Sequence, residues 1–292
     1  MARIDELEAR VLALETGPMA TLTLDSVYNN VLSILVEAGP AVILPIADPN
    51  TDPTQPTFTT IGSEQLVFTW SKLPSTFSTP LDFTDPSAFQ GIVPVLSFNG
   101  TDEGAMSTDH PFWSAGANGS PGSEPSFSMG AWINLSSGTE LQYILSKFDN
   151  TSGAKQREWD FTAGGNRGEL LLRDESNNAW IGRNISGTAT PGLWVFLVAT
   201  YDGSGSNSGI SFYLNSAPAG NVVGSFGSYV AMEDTTSAVR LAFRQGSSKQ
   251  EFYFGGKMGG GPLGPFFVQG TLSPQQVLDL YNAGASAMGL IP

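Results

Sequence analysis

The chain has 292 residues, 40% of them apolar and 11% aromatic, enough to bury one large core or two smaller ones. Its 27 acids against 13 bases give a formal charge of −14 with no cluster of Lys and Arg, which argues against nucleic acid and against an anionic membrane surface as partners. There is no Cys and a single His, His110, so disulfides, thiolate metal sites and His-based triads lack material.

No stretch has the length and apolarity of a membrane helix, and the first six residues carry two acids, unlike a signal peptide. Charged residues are only 14% of the chain, whereas Gly numbers 34 and Pro 19, a composition suited to many short strands joined by turns.

Residues 1–16 read as a short helix of two heptads stopped by Gly17-Pro18. With Ile4 at position a, Leu7 falls at d, Val11 at a and Leu14 at d. The same register puts Arg3 and Arg10 at g and Glu8 and Glu15 at e, so both g-to-e pairs in a parallel neighbour are Arg to Glu. The alternative is a single amphipathic helix lying on its own domain, which Leu12 at b favours. Isolated helices shorter than roughly 12–15 residues are marginal in water, so a coiled coil here needs other contacts to hold it.

Residues 17–90 read as a Pro-rich connector. Within it Asp25 is an expected N-cap, Val27, Tyr28, Val31, Leu32 and Leu35 fall at helical spacing, and Gly39-Pro40 ends the helix. "AVILP" then predicts a short strand, the Pro-rich run after it cannot be helical, and "EQLVFTW" predicts another strand. The connector is too apolar to be a flexible linker and is expected to pack on a neighbour, either a second copy or a different protein.

From residue 91 to 292 the pattern becomes short strands between Gly, Asn, Asp and Ser turns. "SFSMGAWINL" and "QYILSKF" are followed by "REWDFTA", "GELLLRD" and "AWIGRNI", a meander of hairpins. "LWVFLVATY" is almost continuously apolar, as expected of a strand buried between two sheets, and "GISFYLNSAP" follows a polar loop. The spacing predicts an antiparallel sandwich. Ser273-Pro274 starts a closing helix, and Asn282-Ala283-Gly284 is expected to end it.

The pieces "LSFNGTDEGA", "FSMGAWINL", "ILSKFD", "GLWVFLVATYDGS", "ISFYLNSAPAG" and "LSPQQVLDLYNAG", in that order, resemble the laminin G-like branch of the concanavalin A-like jelly roll over about residues 92–284. "FGGKMGGGPLGPFFVQG" departs from that pattern by its wealth of Gly and Pro. The expected fold is thus mainly β, a concanavalin A-like antiparallel sandwich with a short N-terminal coiled-coil helix and a mixed connector.

The resemblance brings glucan hydrolases with it. Glu158 and Asp160 share one face of a strand at i,i+2, but the third acid of the hydrolase pattern is missing, since Thr162 takes the next same-face position. A retaining mechanism needs two carboxyls about 5–5.5 Å apart, so no catalytic residue is assigned and these acids are expected at the solvent-facing rim. Laminin G-like modules often hold Ca²⁺ with loop acids, and Asp102, Glu103, Asp109, Asp149, Asp202 and Asp234 are the loop acids available; no metal or cofactor is assigned on spacing alone. Trp113, Trp159 and Trp180 are the aromatics available to stack on sugars, with Trp132 and Trp194 expected in the core.

Short N-terminal bundles followed by β-domains resemble bacteriophage appendages, an analogy at the level of fold. It implies a virion structural protein, a fibre, spike or capsid-decorating component, that self-associates through Ile4, Leu7, Val11, Leu14 and their charged flanks, as a trimer ahead of a dimer, and docks on other virion proteins. The alternative is a carbohydrate-binding, lectin-like module outside a virion, extracellular without a signal peptide; surface glycans are partners in either case. Light scattering on the full chain is expected to give a multiple of the 30.8 kDa protomer mass, and Arg3→Glu with Arg10→Glu to lower it. A monomer before any substitution contradicts self-association.

Overall fold

The computed structural model describes residues 24–46, 57–72 and 95–290, apart from 123, 138–139, 152–154, 165–166, 188–189 and 220–221. The coiled-coil positions Ile4, Leu7, Val11, Leu14, Arg3, Glu8, Arg10 and Glu15 lie outside the described residues, as does most of the Pro-rich run.

Two sheets pack face to face, and two helices cover the outer face of the first. The first sheet is centred on β7 (Phe127–Leu135). One edge of β7 pairs with β12 (Val195–Tyr201), which leads to β13 (Ile210–Leu214) and β14 (Ala217–Pro218). Its other edge is shared lengthwise: β20 (Phe266–Val268) takes residues 128–130 and β19 (Gly255–Gly259) takes 133–135. The Gly- and Pro-rich segment therefore forms two strands on one edge, separated by a 3₁₀ turn at Gly261–Leu263. Beyond β20 lie β1 (Ala41–Ile43) and β3 (Ile61–Gly62), and beyond β19 lies β5 (Val95–Asn99).

The second sheet runs in the order β15 (Val222–Phe226), β11 (Ala179–Ser186), β10 (Arg167–Asp174), β9 (Gln156–Gly164), β8 (Leu141–Asp149), β16 (Val239–Leu241), β6 (Gly104–Ser107), β4 (Val67–Lys72) and β2 (Thr57–Thr59). The two-residue strands β17 (Arg244–Gln245) and β18 (Gln250–Glu251) lie beside β8. Nearly every pairing is antiparallel, so the architecture agrees with the expected sandwich. The described part of the expected connector is a helix at Leu24–Ala38 and strands of both sheets: β1 and β3 extend the first, β2 and β4 the second. The neighbour they pack on is this chain's own sandwich.

The helices are α1 (Leu24–Ala38), the single turn α2 (Pro111–Ser114) and α3 (Pro274–Ala287). In α1, Val27, Val31 and Leu35 recur every four residues and are buried against Val277 and Leu280 of α3 and against the first sheet. Tyr28 and Leu32 are half-buried at the margins of that stripe. Asp25 lies inside the first turn of α1 instead of capping it, where the helix dipole still favours an acid.

Ser273 caps α3 and forms a reciprocal box with Gln276, but the helix does not stop at Gly284. A Cβ on Gly284 would lie 2.4 Å from Trp132 Nε1. The glycine is there for close approach of the indole, not for termination, and helix and sheet meet at that point.

"LWVFLVATY" is apolar throughout because its strand is buried on both faces. Leu197, Ala199 and Tyr201 join the core between the sheets, while Phe196 and Val198 join the core under the helices. The second layer over it is helical, not a sheet. Leu35, with no exposed surface, is central to that helical layer. Leu35→Ala is expected to lower stability by about 2–5 kcal/mol in denaturant unfolding, against within about 0.5 kcal/mol for Val36→Ala on the wet side of α1. Equal small losses contradict docking of α1 on the sheet.

Candidate functional site

Cross-strand partners in a sheet share a face. On the outer face of the second sheet, Phe226 of β15 stands opposite Trp180 of β11, and Trp180 opposite Arg173 of β10. The residues that alternate with them, among them Leu172 and Ile181, point into the core. The Trp180 ring lies across Gly224, where a Cβ would sit 3.0–3.1 Å from it; any side chain there would tilt the indole off the sheet. Phe226 at the sheet edge is 57% exposed.

These residues, with Arg157, Asn178 and Ala179, line a hollow of about 220 Å³. It is smaller than the roughly 300–1,000 Å³ of pockets that enclose a whole drug-sized ligand. The polar groups around it are fixed in advance. Arg157 makes a two-pronged contact with Glu175, Nε to Oε2 at 2.5 Å and Nη2 to Oε1 at 2.9 Å, and its Nη2 also reaches Asn178 Oδ1 at 3.1 Å. The turn that carries Glu175 and Asn178 is held by Asp174, which accepts from the Asn177 backbone N–H at 3.1 Å and from the loop N–H of Val230 at 2.7 Å. These donors keep the Asp174 carboxyl below the usual carboxylate range despite its partial burial, a cost that acts in the opposite direction.

Arg173 donates to Asp160 Oδ2 at 3.2 Å and lies 5.2 Å from the Phe148 ring. Arg244 lies 5.0 Å from the same ring and 4.5 Å from that of Phe252. Two guanidinium groups therefore pack on the one Phe148 ring beside the hollow.

Of the aromatics considered for ligand stacking, only Trp180 is brought to this surface. Trp113 and Trp159 are fully buried and pack on Phe267 at ring distances of 5.5 and 5.6 Å. Trp132 is buried as expected, and Trp194 packs half-buried on the same helical layer. Phe226, Arg157, Arg173 and Asn178 were not singled out by the sequence. Their gathering depends on the β11–β15 and β10–β11 registers, which no local pattern displays.

Residues 108–261, just over half of the chain, match the family model described as the concanavalin A-like lectin/glucanases superfamily, in its laminin G branch. The chain belongs to this superfamily. Among solved structures it is similar to the binding domain of botulinum neurotoxin serotype D, at 10% identity and TM-score 0.52 over 87% of this chain and 53% of that one. It is similar also to a receptor-binding domain at 14% and 0.53, over 88% and 52%. Botulinum neurotoxin type C gives 12% and 0.50, over 86% and 52%. The likeness is one of fold, and this chain spans about half the length of each. No curated protein matches it.

For a member of the lectin/glucanases superfamily, the acids on β9 matter most. Glu158 and Asp160 do not share a face: the ladder between β8 and β9 is irregular at Glu158, which turns to Lys147 on the side of the core residues Trp159 and Val239, while Asp160 faces Arg173 on the outer side. Nor are they at a solvent-facing rim: both are fully buried. Lys147 and Thr235 lie against Glu158, and Arg173 lies against Asp160. Glu158 Oε1 contacts Lys147 Nζ and accepts from Thr235 N–H at 2.6 Å and Thr235 Oγ1 at 2.9 Å. Burial pushes the Glu158 carboxyl up to about 7 in spite of those donors, and holds Asp160 above the usual range in spite of Arg173. Thr162, in the place of a third acid, is buried as well.

The loop acids go to partners of their own. Asp102 pairs with Lys72 at 2.6 Å, Asp109 with Lys147 at 2.9 Å and Asp149 with Arg240 at 3.1 Å. Glu103 accepts from the Asn99 backbone N–H, Asp202 from that of Ser204 and Asp234 from the Ser114 hydroxyl. Among the described residues no three His, Cys, Asp or Glu side chains converge on a point.

The Glu158 environment has a pH signature. The folded chain keeps that proton up to about pH 7, whereas an unperturbed Glu releases it near 4.5. The folded state thus binds more protons in this window, and stability falls as pH rises through it. Glu158→Gln removes the slope. The stability of the unaltered chain minus that of the variant is expected to decline from pH 4.5 to 7, by up to a few kcal/mol; a difference that grows with pH contradicts the assignment.

Proposed function

We propose that the chain is a glycan-binding module and that the hollow on the outer face of the second sheet receives one sugar ring of its ligand. The observation that carries this is the Phe226–Trp180–Arg173 row. An exposed apolar wall stands beside planar guanidinium and amide groups already fixed in place, the combination that suits the apolar face and the hydroxyl rim of a sugar. A similar sandwich occurs in botulinum neurotoxin type C, whose cell entry depends upon interaction with two ganglioside molecules, and membership of the lectin/glucanases superfamily agrees with sugar recognition. Binding, not hydrolysis, is the reading for this chain, because the two β9 carboxyls are shut away from any substrate on either face.

The heptads at residues 1–16 support display in several copies, as on a virion fibre, spike or decorating protein. Several weak sites on one particle would then act together through their effective concentration. This reading is the sequence-based one, and its test is the oligomer mass.

A glycan array probed with the full chain, with and without EDTA, is expected to return hits that do not depend on the chelator. For a hit measured in solution, Trp180→Ala and Phe226→Ala are each expected to weaken binding tenfold or more, about 1.4 kcal/mol. Leu193→Ala, an equally exposed apolar residue outside the hollow, leaves it unchanged. Silence of the unaltered chain under both conditions contradicts the proposal.

A further inference from the structure

Lys147 lies on β8 between Trp159 of β9 and Val239 of β16, both fully buried, and its own side chain has no exposed surface. Its Nζ is held by three oxygens: the Glu158 carboxyl, the Thr235 carbonyl and Asp109 Oδ1 at 2.9 Å. Removing an ammonium group from water costs several kcal/mol that ion pairing offsets only in part. The arrangement has a second property. An amine and a carboxyl held at contact distance in a dry site are the two reactants of an amide, already oriented.

We propose that Lys147 and Asp109 join in an intramolecular isopeptide bond, with Glu158 as the proton carrier. Glu158 takes a proton from the Lys147 ammonium, and the neutral amine attacks Cγ of Asp109 to form the C–N bond. The C–O bond to one carboxylate oxygen breaks, and that oxygen leaves as water with the two protons Lys147 has given up, relayed through Glu158. Ammonium plus carboxylate gives amide plus water, so no oxidant, reductant or co-reactant is required.

The geometry separates the roles of the two acids. Asp109 is 32% exposed at its side chain, so the departing water has a way out. Glu158 is closed off, and its Oε2 is buried with no partner among the described residues, a vacant acceptor for the travelling proton. Its raised affinity for that proton, caused by burial, suits a carrier.

Both reactants are anchored. Asp109 precedes His110, the N-cap of α2, whose Phe112 and Trp113 are core residues, and Trp113 C=O accepts from Trp159 Nε1 at 3.1 Å. The bond would tie the segment after β6 to β8 across β16. With no Cys in the chain, it is a covalent staple of a kind disulfides cannot supply here.

Peptide mapping of the purified full chain tests this directly. Residues 73–146 contain no Lys or Arg. Trypsin under denaturing conditions therefore releases 73–147 and 148–155 if Lys147 is free. If Lys147 is acylated, a single peptide 73–155 appears, lighter than its sequence by one water, and that is the expected result. The two separate peptides at unmodified mass overturn the proposal. A cyclic imide at Asp109 also loses one water but leaves Lys147 open to trypsin, so that pattern overturns it too. Glu158→Gln is expected to restore cleavage at Lys147, and a cross-link that persists in it overturns the role of Glu158. The unaltered chain gives its answer whether or not the variant folds, and whether or not the chain binds glycans.

Discussion

Two helices cover the outer face of the first sheet, whereas the outer face of the second has no helical layer among the described residues. Strand β20 shows how the asymmetry is built. Phe267 points between the sheets and meets Phe112, Trp113, Phe127 and Trp159 at ring distances of 5.4–5.7 Å. Phe266 and Val268, its neighbours in sequence, point the other way and join α1 and α3. Three residues thus tie two cores together, and each buried side chain contributes about 1.5–3 kcal/mol of transfer free energy. The helices close the first sheet, while on the outer face of the second the β8–β9 part is buried and Phe226 at the β15 edge is exposed.

That face is dressed accordingly. Its strands present Trp180, Phe226, Arg173 and Asp160 outward, and Arg173 and Arg244 crowd the Phe148 ring. The polar groups are paired with one another, so little side-chain freedom is left to lose on binding. At the end of the same sheet, Lys147, Glu158 and Asp109 hold the loop 227–238 and the approach to α2 against β8. The hollow borders on that loop, since Phe226 leads directly into it. A rigid scaffold with a few exposed, prearranged groups is how one fold serves many recognition tasks.

Much of the sandwich was legible in the sequence because β8 to β11, and β12 with β13, are hairpin neighbours whose alternation and turns are local signals. Helix α1 was legible through the spacing of Val27, Val31 and Leu35. What remained hidden was non-local. β1 pairs with β20 from the far end of the chain, and nothing in "AVILP" says so; a stretch that reads as a connector can complete both sheets. Gly284 looked like a helix stop because composition cannot distinguish a glycine that turns the chain from one that admits an indole. Glu158 and Asp160 were read on one face by strict alternation, which the irregularity in the ladder between β8 and β9 breaks, and alternation does not report that Lys147 and Thr235 close over one acid and Arg173 over the other. In the hollow, Trp180 was visible as a candidate, while its partners needed the register of β11 with β10 and β15.

The claim on which the functional account rests is that ligands meet the second sheet's outer face and not the helical layer. Indole and aromatic NMR shifts of the full chain, recorded on titration with a glycan that binds it, test this most directly. The account predicts movement at Trp180 and Phe226, with Trp132 and Tyr281, stacked beneath α3 at 5.5 Å, unmoved. Shifts centred on Trp132 and Tyr281, with Trp180 silent, would contradict it.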